Sequence, residues 1–163
     1  MRSYLVRDYM TPSPHTVGMT QPLSVAHDLM RRHGIRHLPV LDGGKLAGIV
    51  SLPDLHFIET LPDVRDTEVT VEEAMTQDPC WVEPNTPIAL VAPDMMRTRH
   101  GSTIVVEGTK VVGMFTTVDA LRALCDALAE VKDLREQRHD AAQASATPTR
   151  RKRNGRGASR AGM

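Results

Sequence analysis

Aromatic residues make up only 3% of this 163-residue chain: one Trp, two Tyr and two Phe. Its core must therefore come from Val, Leu, Ile, Met and Ala, which suit thin sheets covered by short helices. Long hydrophobic runs are also missing. The longest aliphatic stretch, IALVA at 88–92, has five residues, against the ~20 that a membrane-spanning helix needs. The opening MRSYLVRDYMTP has no apolar stretch of the export type, and the expectation is a cytoplasmic chain. Cysteine is limited to Cys80 and Cys125, which read as free thiols. Net charge is zero overall but unevenly placed. Residues 1–149 carry 14 basic and 20 acidic residues, a net of −6, while residues 150–163 carry six basic residues and no acid. The body is acidic and the tail basic.

What the chain does have is an internal repeat. GKLAGIVSLPD at 44–54 is echoed by TKVVGMFTTVD at 109–119. Lys45/Lys110, Gly48/Gly113, Ser51/Thr116 and Asp54/Asp119 all stand 65 positions apart. The same offset links Val6 to Val71, Met10-Thr11 to Met75-Thr76, Pro14 to Pro79, Val17 to Val82, Pro22 to Pro87 and Met30 to Met95. His33-Gly34 matches His100-Gly101 at an offset of 67. A two-residue gain before that Gly and a two-residue loss in the next turn are expected, as loops allow.

Local signals agree within each copy. Pro22 and Pro87 sit where a helix can begin. Val25, Ala26, Leu29, Met30 and His33 follow at helical spacing, and Gly34 ends the run. IRHLPVL is a strand, DGG a tight turn, KLAGIVS a return strand, and 54–59 a short helix. The second copy repeats this with STIVVE, the turn GT, KVVGMFT and a helix from Val118. Each copy reads as strand, helix, strand, strand, helix. Copies this small bury their sheets only by packing together. Pro93 falls inside the first helix of copy two, where a kink or a late start is expected. In the last helix Leu121, Leu124, Cys125, Leu128 and Val131 share a face, and charged residues continue to about Arg138. The segment that follows has no apolar periodicity and reads as disordered.

MTPSPHTV, HGIRHLPVLDGGKLAGIVSLPDL and, less closely, MTQDPCWV with HGSTIVVEGTKVVGMFTTVDAL resemble the cystathionine-β-synthase (CBS) domain, present twice. Such a tandem is called a Bateman module, and the resemblance covers roughly residues 5–128. It implies an α/β (α+β) fold, with two β-α-β-β-α repeats packed through their sheets about a pseudo-two-fold axis. The expected divisions are a first motif at 5–60, a linker at 61–70, a second motif at 71–130, the end of the C-terminal helix at 131–144, and a disordered basic tail at 145–163. It also implies a regulatory sensor without catalysis. Adenosyl compounds (AMP, ADP, ATP or S-adenosylmethionine) would bind in clefts between the copies of a disc-like homodimer that modulates a separate protein. No cofactor is required beyond such a ligand.

A carboxylate accepts hydrogen bonds from both ribose hydroxyls, at roughly 1.5–3 kcal/mol each. In S/T-x-x-D the Asp lies in the first helical turn, favoured by the helix dipole, and the hydroxyl sits near the N-cap. The same spacing is also a plain helix-start signature. Carried over from the family, one cleft would use Gln21, Ala26, Ile35, Arg36 and His37 with Thr116 and Asp119. The other would use Thr86, Val91, Ser102, Thr103 and Ile104 with Ser51 and Asp54. Arg36-His37 suits phosphate, while the matching Thr103-Ile104 carries no charge, so unequal sites are expected. The alternative makes Arg36 a solvated strand-edge residue and His37 a packed one.

His27, His33 and His37 span a helix end, but no HExxH or CxxC set supports a metal site. His15 and Cys80 occupy equivalent positions from which they could approach each other. No nucleophile elbow, phosphate loop or paired-acid motif is present. Trp81 reads as a core residue of a strand rather than a stacking platform. Two rival functions stay open: a protein–protein adaptor with degenerate clefts, and a nucleic-acid-associated factor acting through residues 150–160.

Overall fold

A computed structural model describes residues 3–145. The basic segment 150–160, with its expected disorder and nucleic-acid contact, lies outside them. Pro22 and Pro87 are the N-cap residues of two equivalent helices, α1 (Leu23–His33) and α4 (Ile88–Thr98). Each helix buries one face, Leu23, Ala26 and Met30 in the first and Ile88, Val91 and Met95 in the second, the stripe that a 3.6-residue period produces. A hairpin follows in each copy: β3 (His37–Asp42) with β4 (Lys45–Ser51), and β7 (Ser102–Glu107) with β8 (Lys110–Thr116). The first hairpin turns on Gly43 and Gly44, at φ 54° and 83°, a left-handed pair that glycine adopts without steric cost. Short strands β2 (Val17–Gly18) and β6 (Trp81–Val82) run parallel to β3 and β7. Helices α2 (Leu52–Glu59) and α5 (Thr117–Ser145) close the copies.

The two copies exchange their first segments. β1 (Thr11–Pro12) leaves copy one and pairs with β8, and β5 (Thr76–Gln77) leaves copy two and pairs with β4. The sheets therefore run β1-β8-β7-β6 and β2-β3-β4-β5. Val6 and Tyr9 are buried in the core of copy two. Val71, which opens α3 (Val71–Ala74), is buried in the core of copy one. Backbone bonds repeat the exchange in matched pairs. Val6 N–H donates to Thr86 O at 3.0 Å and Val71 N–H to Gln21 O at 2.9 Å. Ile88 N–H donates to Tyr4 O at 2.9 Å and Leu23 N–H to Val69 O at 2.8 Å. The end of the expected linker is thus already tied to α1. Thr70 N–H and Oγ1 donate to Glu73 at 2.8 and 2.9 Å, and the backbone bond, the larger cause, holds that carboxyl below its ordinary range.

The exchange explains why Met-Thr and Gly recur together. A Cβ on Gly48 would meet Met75 Sδ at 2.6 Å and Thr76 O at 2.7 Å. On Gly113 it would collide with Met10 Sδ and meet Thr11 O at 3.2 Å. Each exchanged strand lies over the other copy's glycine. The sheets meet where Ile104, Val106 and Met114 pack with Leu46, Ile49 and Val111, so the copies do pack through their sheets.

Three sequence expectations change. The offset of 67 is not real. α1 ends at Gly34 (φ 63°) and α4 at Arg99 (φ 57°), both left-handed, and His37↔Ser51 answers Ser102↔Thr116, all at 65. The helix end needs a left-handed residue. Arg99 fills that place, and His100-Gly101 matches His33-Gly34 by chance. Ile35, Arg36 and His37 therefore correspond to His100, Gly101 and Ser102, not to Ser102, Thr103 and Ile104. Of the two outcomes expected at Pro93, the late start does not occur: α4 starts at Ile88 and reaches Thr98 with Pro93 inside it. Ala89 and Pro93 are both exposed, so the Ala89 carbonyl, left without its donor, lies on the solvent side. Trp81 is not core. It is 55% exposed, because β6 is a two-residue edge strand whose alternation turns Val82 inward and Trp81 out.

A compact unit, Met1–Cys125, holds both copies, and a second unit begins at Asp126. α5 runs past Arg138 to Ser145, and Leu121, Leu124, Leu128 and Val131 on its apolar face are exposed. No helix among the described residues is long and apolar enough to cross a membrane. Cys80 and Cys125 are free and exposed.

Candidate functional site

Both hydroxyl–carboxylate pairs act as helix starts. Ser51 N–H and Oγ donate to Asp54 Oδ2 at 2.7 and 2.6 Å. Thr116 N–H and Oγ1 donate to Asp119 Oδ2 at 2.8 and 2.9 Å. The first is a reciprocal capping box for α2, and the second ties Thr116 to the first turn of α5. The two sites differ in what is left over. Asp54 is half-buried, and among the described residues its Oδ1 receives no hydrogen bond. Asp119 is 5% exposed, and its Oδ1 faces Arg122 at 3.4 Å. Asp54 thus keeps one oxygen without a protein partner among the described residues, whereas both oxygens of Asp119 have one.

In copy one His37 begins β3 opposite Ser51. Burial, and secondarily Arg36, lower its pKa below the ordinary value, with Asp54 pulling the other way. Arg36 is exposed, and its carbonyl accepts from Leu52 N–H at 2.9 Å. Ile35 packs against the first core, and Ala26 is fully buried in it. The Gln21 amide oxygen accepts from Gly18 N–H at 2.7 Å and so holds a turn. The register pairs each strand start with the hydroxyl of its own copy, His37 with Ser51 and Ser102 with Thr116.

In copy two a cleft of ≈370 Å³ brings together four of the sequence-named residues, Thr86, Val91, Ser102 and Thr103. A volume of this size suits a small ligand. Ile104 is not among its lining residues; it is fully buried at the seam between the sheets. Ser51, Asp54, Thr116 and Asp119 do not line the cleft either. Ser102 is 7% exposed, and no protein group hydrogen-bonds its hydroxyl among the described residues, yet no buried side-chain polar atom there is both enclosed and unpaired. The hydroxyl therefore reaches the cleft. Thr103 Oγ1 and Ile104 N–H both donate to Cys80 O, at 3.1 and 3.2 Å, which fixes the backbone just before Trp81.

Sequence reasoning missed Cys80, Trp81, Asp94 and His100, which also line this cleft. An unbroken offset of 65 would have set His100 opposite Ile35 and so flagged it. His15 and Cys80 each find a partner in their own copy. His15 stacks on His33 with ring centroids 3.7 Å apart, and Cys80 Sγ lies 3.6 Å from His100 Nδ1. Among the described residues His27, Glu59 and Asp66 form a donor set compact enough for a metal ion. Its spacing is that of an ion pair, with His27 Nδ1 3.1 Å from Glu59 and 4.0 Å from Asp66.

The CBS domain model matches residues 6–57 and 71–126, and the chain belongs to the CBS-domain family. The solved CBS domain pair of protein MJ0100, in complex with 5′-methylthioadenosine and S-adenosyl-L-methionine, is 27% identical; its alignment covers 77% of this chain and 99% of that one, with a TM-score of 0.69. CBSX2 from Arabidopsis thaliana, solved in complex with AMP, is 26% identical, with coverage of 76% and 97% and a TM-score of 0.68. Among curated proteins, an inosine-5′-monophosphate dehydrogenase of Korarchaeum cryptofilum is 33% identical over 118 residues, 72% of this chain and 22% of the relative. The chain spans about a fifth to a third of the length of the first curated relatives it matches.

Proposed function

We propose that this CBS pair is a regulatory module that binds an adenosyl nucleotide or S-adenosylmethionine and passes its bound state to a separate protein, with no catalytic step of its own. The observation that carries the reading is the Ser102 hydroxyl, which no protein group engages among the described residues and which opens onto a ligand-sized cleft. It is free to hydrogen-bond a polar ligand there. The adenosyl ligands of two solved relatives support the ligand class.

Outside the lining of that cleft, the carboxylates supply a grip for ribose. Asp54 accepts from a diol through Oδ1 while Oδ2 still caps α2, so its site opens without dismantling a helix. Near copy one, Arg36 and His37 favour a phosphorylated ligand, and binding of phosphate draws His37 towards its protonated form. Signalling follows only from a difference in ligand affinity between two states of the module. The proposal includes a homodimer and a separate regulated chain, as the family resemblance implies.

Calorimetry of the whole chain with AMP, ATP and S-adenosylmethionine tests this. At least one should bind below millimolar concentration. Asp54→Asn and Asp119→Asn keep a cap acceptor, and one or both should weaken binding by about tenfold, the loss of one charge-assisted bond. No binding by any of the three would leave the adaptor reading in its place.

A further inference from the structure

Trp81 is the only tryptophan in the chain, and it stands 55% exposed at a sheet edge. Its position in copy one is held by Thr16, so nothing in the repeat demands an aromatic there. Trp81 is among the residues that line the copy-two cleft together with Ser102, and it also borders a second cleft. Its backbone is fixed: Trp81 pairs with Ile104, and the preceding carbonyl of Cys80 takes two hydrogen bonds. A flat, half-exposed ring at the wall of a cleft is a surface on which a purine stacks.

The charge of the same cleft is equally specific. Among its lining residues there is no Lys or Arg. The one carboxylate, Asp94, is paired with Arg97 at 2.5 Å, and the one imidazole, His100, is engaged by Cys80. A phosphate placed here finds no Lys or Arg on the cleft wall, and Arg97 is already engaged by Asp94. An adenosyl group that ends in a thioether or a sulfonium needs no such cation.

We infer that the copy-two cleft takes a phosphate-free adenosyl compound, an adenosyl thioether or sulfonium, with its adenine stacked on Trp81. This rests on the adenosyl reading above and assigns the ligand class and base platform of one of its two sites.

A single tryptophan makes the test direct. The whole chain is titrated with 5′-methylthioadenosine, S-adenosylmethionine and AMP, each followed by tryptophan fluorescence and by calorimetry. Saturable fluorescence changes are expected with the first two, and none with AMP at concentrations where they saturate. Trp81→Thr, which installs the copy-one residue, should weaken their binding by about tenfold. Trp81→Phe should keep it within about twofold, showing that the aromatic face and not mere bulk is needed. Because Trp81 is exposed, both variants should melt close to the parent, which circular dichroism checks. Calorimetric binding with silent fluorescence and an unaffected Trp81→Thr overturns this inference alone, as does AMP giving the strongest Trp81 signal. No binding of any adenosyl compound overturns it together with the reading on which it rests.

Discussion

At the scale of single residues, glycines and one histidine carry the sharpest consequences. Gly48 lies under the backbone carbonyl of Thr76, whereas Gly113 lies chiefly under the flexible end of Met10. A carbonyl held in a strand pair moves less easily than a thioether. Gly48→Ala should therefore lower stability by roughly 1–3 kcal/mol, and Gly113→Ala by less; thermal or denaturant unfolding compares them. His37 adds a pH dependence. Its folded pKa lies below the ordinary ~6.5, chiefly through burial. The unfolded chain therefore binds a proton that the folded chain refuses. Stability should fall as pH drops through about 6.5 and level off below the folded pKa. His37→Gln should flatten that part of the profile, as denaturation at a series of pH values would show. The capping role of Asp54 and Asp119 is legible in their spacing, which the ribose reading shares. Which oxygen is free is not legible there, because that depends on Arg122 and on burial.

Among the elements, the helix ends teach the most. Gly34 announces its left-handed turn in the sequence; Arg99 conceals the same turn. A non-glycine there costs about 1–2 kcal/mol. Arg99→Gly should recover about 1 kcal/mol and raise the melting temperature by roughly 2–4 °C. An unchanged or lower melting temperature would show that the Arg99 side chain compensates for its backbone. Helices and hairpins are readable because proline, glycine and periodicity act locally. β6 is readable as a strand, but the side on which Trp81 lies is not, since two residues are too short for alternation to show. The two-residue exchanged strands β1 and β5 carry no local signal either. Their pairing is set by partners in the other copy, and only the recurring Met-Thr and Gly hint at it.

For the whole molecule, the exchange means that neither copy completes its own fold. Copy one borrows Val71 and β5; copy two borrows Val6, Tyr9 and β1. A fragment of residues 1–65 lacks part of its core and one of its four strands, so it should show no cooperative thermal transition by circular dichroism, while residues 1–130 should. The duplication and its packing through sheets are legible in the sequence, and the exchange is not. It is this interlocked body that holds the copy-two cleft with its unpartnered Ser102. The most direct test is a crystal structure of the whole chain grown with S-adenosylmethionine. The account predicts the adenosyl group in that cleft, with adenine against Trp81 and a hydrogen bond to Ser102. Ligand bound elsewhere while that cleft stays empty would contradict it.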